Sequence, residues 1–161
     1  MKPDREVLKE RAAALARPVA APPRDTIELV TFQLAKETYG IESRYVVEVF
    51  PLTGLATLPG AKPPLFGVTA WRGEILSVLD IRPVLGVAAN ALNNLTRVIV
   101  LGDLRPAFGI LVDAVGEVIS VPTAEIREPA PGVAAAREYV RGVTSQALLV
   151  LATEELFTLH A

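Results

Sequence analysis

The chain has 161 residues and a mass of 17.2 kDa, enough for one mid-sized domain or two small lobes sharing a core, and too little for a larger assembly of domains. Lys and Arg number 16 against 18 Asp and Glu, a net charge of -2, so no global basic field exists to hold a phosphate backbone and nucleic acid is not an expected partner. The absence of cysteine excludes a disulfide framework, thiolate chemistry and thiolate-bound zinc, and suits a reducing compartment.

The first residues, Met1-Lys2-Pro3-Asp4-Arg5-Glu6, are charged where an export signal becomes apolar, so a cytoplasmic location is expected. Residues 1–24 read as a separate leader. Asp4 to Arg17 is rich in helix formers and Pro18, Pro22 and Pro23 stop it. Leu8, Ala12 and Leu15 fall at helical spacing, but the stripe is narrow and a frayed or disordered tail is favoured over a docking helix.

From Thr26 onward short β-branched runs are broken by Gly and Pro, the pattern of many short strands. Strands are expected at 27–34, 39–41, 46–51, 65–71, 74–79, 96–101, 107–112, 115–121, 139–144 and 147–152, with turns at 35–38, 102–106 and 129–132. Helix signal is confined to Ile81–Leu85, with Asp80 as the expected cap, and Glu154–Leu159, with Thr153 as the expected cap. The longest apolar run, Ala147 to Ala152, is far too short to span a bilayer. The mean hydropathy of +0.39 is high for a soluble protein, and part of that apolar content is expected at an interface.

An internal repeat fixes the architecture. Tyr39-Gly40-Ile41 recurs 69 residues later as Phe108-Gly109-Ile110, and at the same offset Val46, Glu48 and Val49 meet Val115, Glu117 and Val118. Gly67-Val68-Thr69 then matches Gly142-Val143-Thr144, and Leu76-Ser77-Val78-Leu79 matches Leu148-Leu149-Val150-Leu151. Four matched segments in one order imply two related lobes of about five strands, each able to close into a barrel that hides its edges, with a crossing near Asn90 to Leu95 joining them.

No residue set looks catalytic. The only histidine, His160, stands beside the C-terminus, and neither a Gly-x-x-x-x-Gly-Lys nor a Gly-x-Gly-x-x-Gly phosphate cradle occurs. Asp80, Asp113, Glu48 and Glu117 are carboxylates flanked by apolar residues, yet each has a structural role open to it: Asp80 as a cap, Asp113 as the outward position of a strand, the glutamates as repeat equivalents. With no clustered His and no acidic calcium loop, neither a metal nor a cofactor is expected. The alternative class, a small-molecule-binding or hydrolytic barrel, predicts a deep polar pocket.

The connection Trp71-Arg72-Gly73-Glu74 carries the only tryptophan beside an arginine, two residue types that dominate interface energetics. The plainer reading has Trp71 covering the end of its lobe and Arg72 pairing locally.

The chain resembles the CheW family of chemotaxis coupling proteins. The resemblance runs through Phe32-Gln33-Leu34, Tyr39-Gly40-Ile41, Val46-Val47-Glu48-Val49, Gly67-Val68, Arg72-Gly73 with Ile75, Asp80-Ile81-Arg82, Gly109 to Val115, and Tyr139-Val140-Arg141-Gly142-Val143. It covers nearly all of residues 26–161. It implies a mainly β fold of two related five-stranded SH3-like β-barrel lobes with short helices, occupying 25–161. It also implies an adaptor without catalysis, coupling methyl-accepting chemoreceptors to the regulatory domain of a CheA-type histidine kinase at receptor arrays on the inner face of the membrane. A CheW-like adaptor of a pathway controlling pilus motility or development is the alternative, which neighbouring genes distinguish.

In that family one lobe docks end-on to the kinase domain, and the groove between lobes takes the receptor tip. Carried over by position, the contact residues are Val46, Glu48, Gly67, Arg72, Gly73, Val98 and Val118, with Trp71 added from the turn. Glycines at 67 and 73 admit close backbone approach, the three valines form an apolar strip or else pack in the core, and Glu48 and Arg72 are of opposite charge and able to pair. Ala70 stands where the family usually has Asn, so a side-chain hydrogen bond is lost and the loop is adjusted to a particular receptor or kinase.

Overall fold

The computed structural model describes residues 25–88, 91–103, 106–129 and 137–160. The leader 1–24, Asn90 and parts of the turns at 102–106 and 129–132 lie outside the described residues. The strands are β1 (Thr26–Leu34), β2 (Glu37–Glu42), β3 (Val46–Pro51), β4 (Ala56–Thr57), β5 (Leu65–Trp71), β6 (Glu74–Leu79), β7 (Arg97–Gly102), β8 (Pro106–Val112), β9 (Ala114–Pro122), β10 (Val140–Val143) and β11 (Leu149–Leu151). Helix α1 is Arg82–Leu85 and α2 is Thr153–His160. All the expected strands form within a few residues of their expected bounds. The two-residue β4 was not anticipated.

Two sheets result, ordered β10-β11-β2-β1-β9 and β3-β7-β8-β6-β5-β4. The repeat is real at the level of residue pairing. Val30 opposes Ile41 and Phe32 opposes Tyr39 in the first sheet; 69 residues on, Ile99 opposes Ile110 and Leu101 opposes Phe108 in the second. Val30 also opposes Val118, and Ile99 opposes Val49. Even the irregularities recur, with register shifts at Leu65/Gly67 between β5 and β6 and at Val140/Gly142 between β10 and β11.

One expectation is corrected. The lobes are not the two halves of the chain, because each half sends its first two strands to one sheet and the rest to the other. β1 and β2 are completed by β9, β10 and β11, while β7 and β8 are completed by β3, β4, β5 and β6. The chain changes sheets at a single 3-10 turn, Ser43–Tyr45, and again at one residue, Asp113, between β8 and β9. The segment 91–95 therefore leads from β6 to β7 within one sheet rather than joining lobes, and Leu52 N–H donates to Thr96 O to hold its far end.

This exchange buries both faces of the central strands, and alternation sorts their side chains into separate cores. Val30, Phe32, Leu34, Tyr39, Ile41, Ile99, Leu101, Phe108, Ile110 and Val112 form a core shared by the sheets, joined by Leu79, Ile81, Leu85 and by Leu156 of α2. Val78, Val98, Val100 and Leu111 fill the interior of the second lobe. Leu29, Val121, Leu148 and Val150 fill that of the first. The high hydropathy thus has an internal explanation alongside any interface. Phe157 of α2 stands edge-on to Tyr45 and Phe108, with ring centroids 5.6 Å apart in each pair, and Tyr45 Oη donates to Glu154 Oε2 at 3.1 Å.

A second correction concerns the caps and Asp113. Thr153 does not cap α2: it is the first helical residue, is 2% exposed, and its hydroxyl makes no hydrogen bond. Asp80 accepts from Arg82 N–H at 3.1 Å, but its larger role is a two-pronged pair with the Arg82 guanidinium, at 2.9 and 3.0 Å. Asp113 does not face solvent. Its Oδ1 lies 3.3 Å from Arg82 Nη1 and its Oδ2 accepts from Ala35 N–H at 2.7 Å, in the β1–β2 turn of the other sheet. Arg82 is 3% exposed, and its pKa is held above the ordinary value by the hydrogen bond to Asp80, against burial.

Replacing Arg82 with Met leaves two mostly buried carboxylates without their shared cation, and urea denaturation is expected to show a loss of about 3–5 kcal/mol. A variant as stable as wild type contradicts the assignment. The three tyrosines, Tyr39, Tyr45 and Tyr139, all titrate above the ordinary value of 10.0, each chiefly through burial. The folded state therefore keeps phenolic protons that the unfolded chain gives up. Stability is full below the ordinary value and falls as pH rises toward the folded values, and Tyr39→Phe flattens that decline in an alkaline series of thermal melts.

Candidate protein-binding site

The hairpin joining β5 and β6 is a two-residue turn. Trp71 pairs with Glu74, and both residues between are left-handed, Arg72 at φ 52° and Gly73 at φ 79°. That geometry matches the right-handed twist of the strands and suits Gly73 without cost, but an arginine there carries roughly 1–2 kcal/mol of backbone strain. Side-chain contacts hold it in place. Arg72 Nη2 donates to Glu48 Oε1 at 2.7 Å, and its guanidinium lies over the Trp71 ring, 4.5 Å from the centroid. Trp71 Nε1 donates to the same Glu48 oxygen at 3.1 Å. The pairing of Glu48 with Arg72 anticipated from charge is present. Trp71 adds a hydrogen bond in the loop where Ala70 lacks the Asn side chain.

Trp71 has two roles. Its ring packs against the interior core of the second lobe, as the plainer reading held, and its other side presents a stacked guanidinium outward. Arg72 and Glu48 remain accessible, with side chains 63% and 37% exposed. Next to them Ile75 is 75% exposed, opposite the exposed Ala70 on β5. A large apolar residue at that exposure beside a fixed arginine makes the outer face of this hairpin the most interface-like surface of the second lobe.

The remaining candidates separate by burial. Gly73 has open space around the position of an added Cβ. Gly67 does not: a Cβ there would sit 2.5 Å from Ala56 O, so the close approach it permits is that of this chain's own β4. Val98 is fully buried in the second lobe's interior, where core packing is its role. Val46 is half-buried against the shared core, and Val118 is 58% exposed on β9 of the other sheet. The three valines therefore do not line one strip.

Sequence reasoning missed two polar clusters. The Asp80–Arg82–Asp113 network was visible only as charges amid apolar residues, because the contact depends on a strand exchange that spacing does not announce. The second is Glu42, which accepts from Arg44 Nε at 2.8 Å and from Arg141 Nη1 at 3.1 Å. Among the described residues no cluster of three metal-ligating side chains occurs, and no helix is long and apolar enough to cross a membrane.

A family model described as CheW-like domain matches residues 28–160. The chain is 32% identical over 127 residues to Protein FrzA of Myxococcus xanthus, which covers 79% of each chain. It is 27% identical over 144 residues to Chemotaxis protein CheW of Treponema pallidum, covering 83% of this chain and 84% of the relative. The scaffolding protein TtCheW from Thermoanaerobacter tengcongensis has a similar structure, with a TM-score of 0.69 at 26% identity over 84% of this chain and 87% of that one.

Replacing Glu48 with Ala is expected to red-shift the emission of the single tryptophan while costing less than about 1 kcal/mol, since the ion pair is exposed. Gly67→Ala, in contrast, forces backbone apart and is expected to cost about 1–3 kcal/mol in denaturant melts, with little change in emission. The reverse ranking would contradict this division between surface and core.

Proposed function

Because the chain belongs to the CheW-like domain family, a family of chemosensory scaffold and adaptor proteins and not of enzymes, we propose that it couples methyl-accepting chemoreceptors to a CheA-type histidine kinase. The observation that carries the contact assignment is the clamp at the β5–β6 turn. Arg72 is held in a strained backbone conformation by Glu48 and Trp71 at an exposed tip, with Ile75 bare beside it. Strain kept at a surface position points to use of that position rather than to stability.

The kinase's regulatory domain docks end-on against this tip, with Glu48, Trp71, Arg72 and Gly73 as contacts and Gly67 and Val98 supporting the hairpin from inside. Val46 and Val118 belong to the receptor side. Because Arg72 is already fixed by Glu48 and Trp71, docking loses little of its rotamer freedom, and the charge sets orientation more than affinity. The adaptor acts at the inner face of the membrane, where receptor tips gather. A coupling role asks for two binding surfaces on one rigid body, and the shared core supplies that rigidity.

Co-sedimentation of the full chain with receptor signalling fragments and a CheA-type kinase tests this. Arg72→Glu is expected to weaken ternary assembly by roughly tenfold or more while the circular dichroism spectrum stays β-rich. Arg72→Gly, which relieves the strained φ, is expected to fold as well as wild type and still assemble poorly. Normal assembly by Arg72→Glu removes the hairpin from the interface, and unfolding of both variants assigns Arg72 a purely structural role.

A further inference from the structure

The β5–β6 hairpin projects from its sheet. β4 pairs with β5 only at Gly67 and Val68, and β8 pairs with β6 only at Val78 and Leu79, so in the described ladders the pairs Ala70–Ile75 and Trp71–Glu74 have no third strand beside them. The two-stranded arm reaches roughly 10 Å past Val68 before it turns at Arg72 and Gly73.

The two faces of this arm differ in chemistry. Leu76 and Val78 point into the second lobe's interior and Trp71 packs on it, so alternation along β6 sends Ile75 to the opposite face, the one on which Leu79 joins the shared core. Ala70 pairs across from Ile75 and shares its face. The Trp71 face carries charge, with Glu48 and the Arg72 guanidinium both held to the indole. The other face carries a bare aliphatic knob: among the described residues no large apolar side chain is more exposed than Ile75, at 75%.

The first lobe has neither feature at the equivalent place. Thr144 and Leu148 match Thr69 and Leu76, so Ser145 and Ala147 stand where the second lobe has Ala70 and Ile75, and Gln146 alone replaces the stretch from Trp71 to Glu74. An apolar knob is therefore not a requirement of the lobe framework, which leaves recognition as its use. Arg72 is also incompletely engaged. Among the described residues its guanidinium donates one hydrogen bond, from Nη2 to Glu48, while one flat side lies on the Trp71 ring. The N–H groups on the remaining edge match a carboxylate, which accepts two parallel bonds from such a fork.

We propose that the partner receives this arm in a cleft that grips both faces, with an apolar recess for Ile75 on one wall and a carboxylate for the free edge of Arg72 on the other. The cleft, which rests on the kinase reading of the hairpin, belongs to the regulatory domain of the CheA-type kinase. Ile75 is the buried anchor of the contact, and the small Ala70 leaves it standing clear of its own sheet. Arg72 sets the orientation of the arm between the walls.

Calorimetric titration of a full-length CheA-type kinase with the full chain, across a salt series, separates the two walls. Ile75→Ser is expected to weaken binding about tenfold or more with the salt dependence of the wild type, and Ile75→Leu to bind within about threefold of it. Arg72→Gln is expected to weaken binding about tenfold and to flatten the salt dependence. Circular dichroism is expected to be unchanged, since both side chains are exposed; Ile75→Thr, which keeps the β-branch and loses the apolar end, reads the same wall if the serine variant melts early. Wild-type binding by Ile75→Ser beside weakened binding by Arg72→Gln overturns the cleft and leaves the kinase contact on the Trp71 face. Wild-type binding by both variants removes the hairpin from the kinase contact altogether. The cleft is overturned equally if Ile75→Ser binds the kinase normally but loses receptor signalling fragments or self-association of the chain, which would assign Ile75 to the receptor or to a second copy.

Discussion

Everything in this molecule depends on the exchange of strands between its two repeats. Neither half of the chain builds a lobe alone: β1 and β2 pair only with each other until β9 and β11 arrive from the second half, and β7 and β8 only with each other until β3 and β6 arrive from the first. The ten fully interior residues of β1, β2, β7 and β8 that meet at the shared core exist as a core only because both sheets present them to each other. Since the side chains of these strands point alternately to the lobe interiors and to the shared core, a slip of register would move every apolar residue to the wrong layer. The repeat therefore specifies one arrangement strongly.

The exchange also decides where charge is tolerated. At the single-residue crossing from β8 to β9 the chain turns sharply between two apolar layers, and Asp113 answers Ala35 N–H of one sheet and the Arg82 guanidinium beside the other. Arg82 is held there by Asp80, three groups forming a bridge whose members are each nearly covered. Removing one member of the network leaves a buried charge without its partner. The network thus acts as a registration point between lobes.

Most of the fold was legible because its signals are local. The β-branched runs, the glycines and prolines between them, and the echo of Tyr39-Gly40-Ile41 in Phe108-Gly109-Ile110 gave strand positions and the two-fold plan. The assignment of strands to lobes was not legible, since a change of sheet at Asp113 leaves no mark in composition and looks like any other break between strands. Thr153 misled as a cap because a threonine before two glutamates has the right chemistry for one, whereas tertiary packing pulls it into the helix and buries its hydroxyl. In the candidate site, Glu48, Trp71, Arg72 and Gly73 were recognisable from residue type and turn chemistry. The burial of Gly67 and Val98 was not, because β4 is two residues long and an apolar valine on a strand suits core and surface equally.

The proposed function rests on how the second lobe ends. The Trp71 ring packs on the second lobe's interior, and the same ring supports an arginine that reaches beyond the surface. In the proposed reading Trp71 has both a structural and a recognition role, and a partner that docks on the hairpin must alter the surroundings of its indole. The most direct measurement is the fluorine resonance of a fluorotryptophan incorporated in the full chain, followed as the regulatory domain of a CheA-type kinase is added. A saturable shift or broadening of that single resonance, in step with complex formation and absent for Arg72→Glu, is the result predicted. A resonance that stays unchanged while sedimentation shows the complex fully formed would contradict the assignment of the hairpin as the kinase contact.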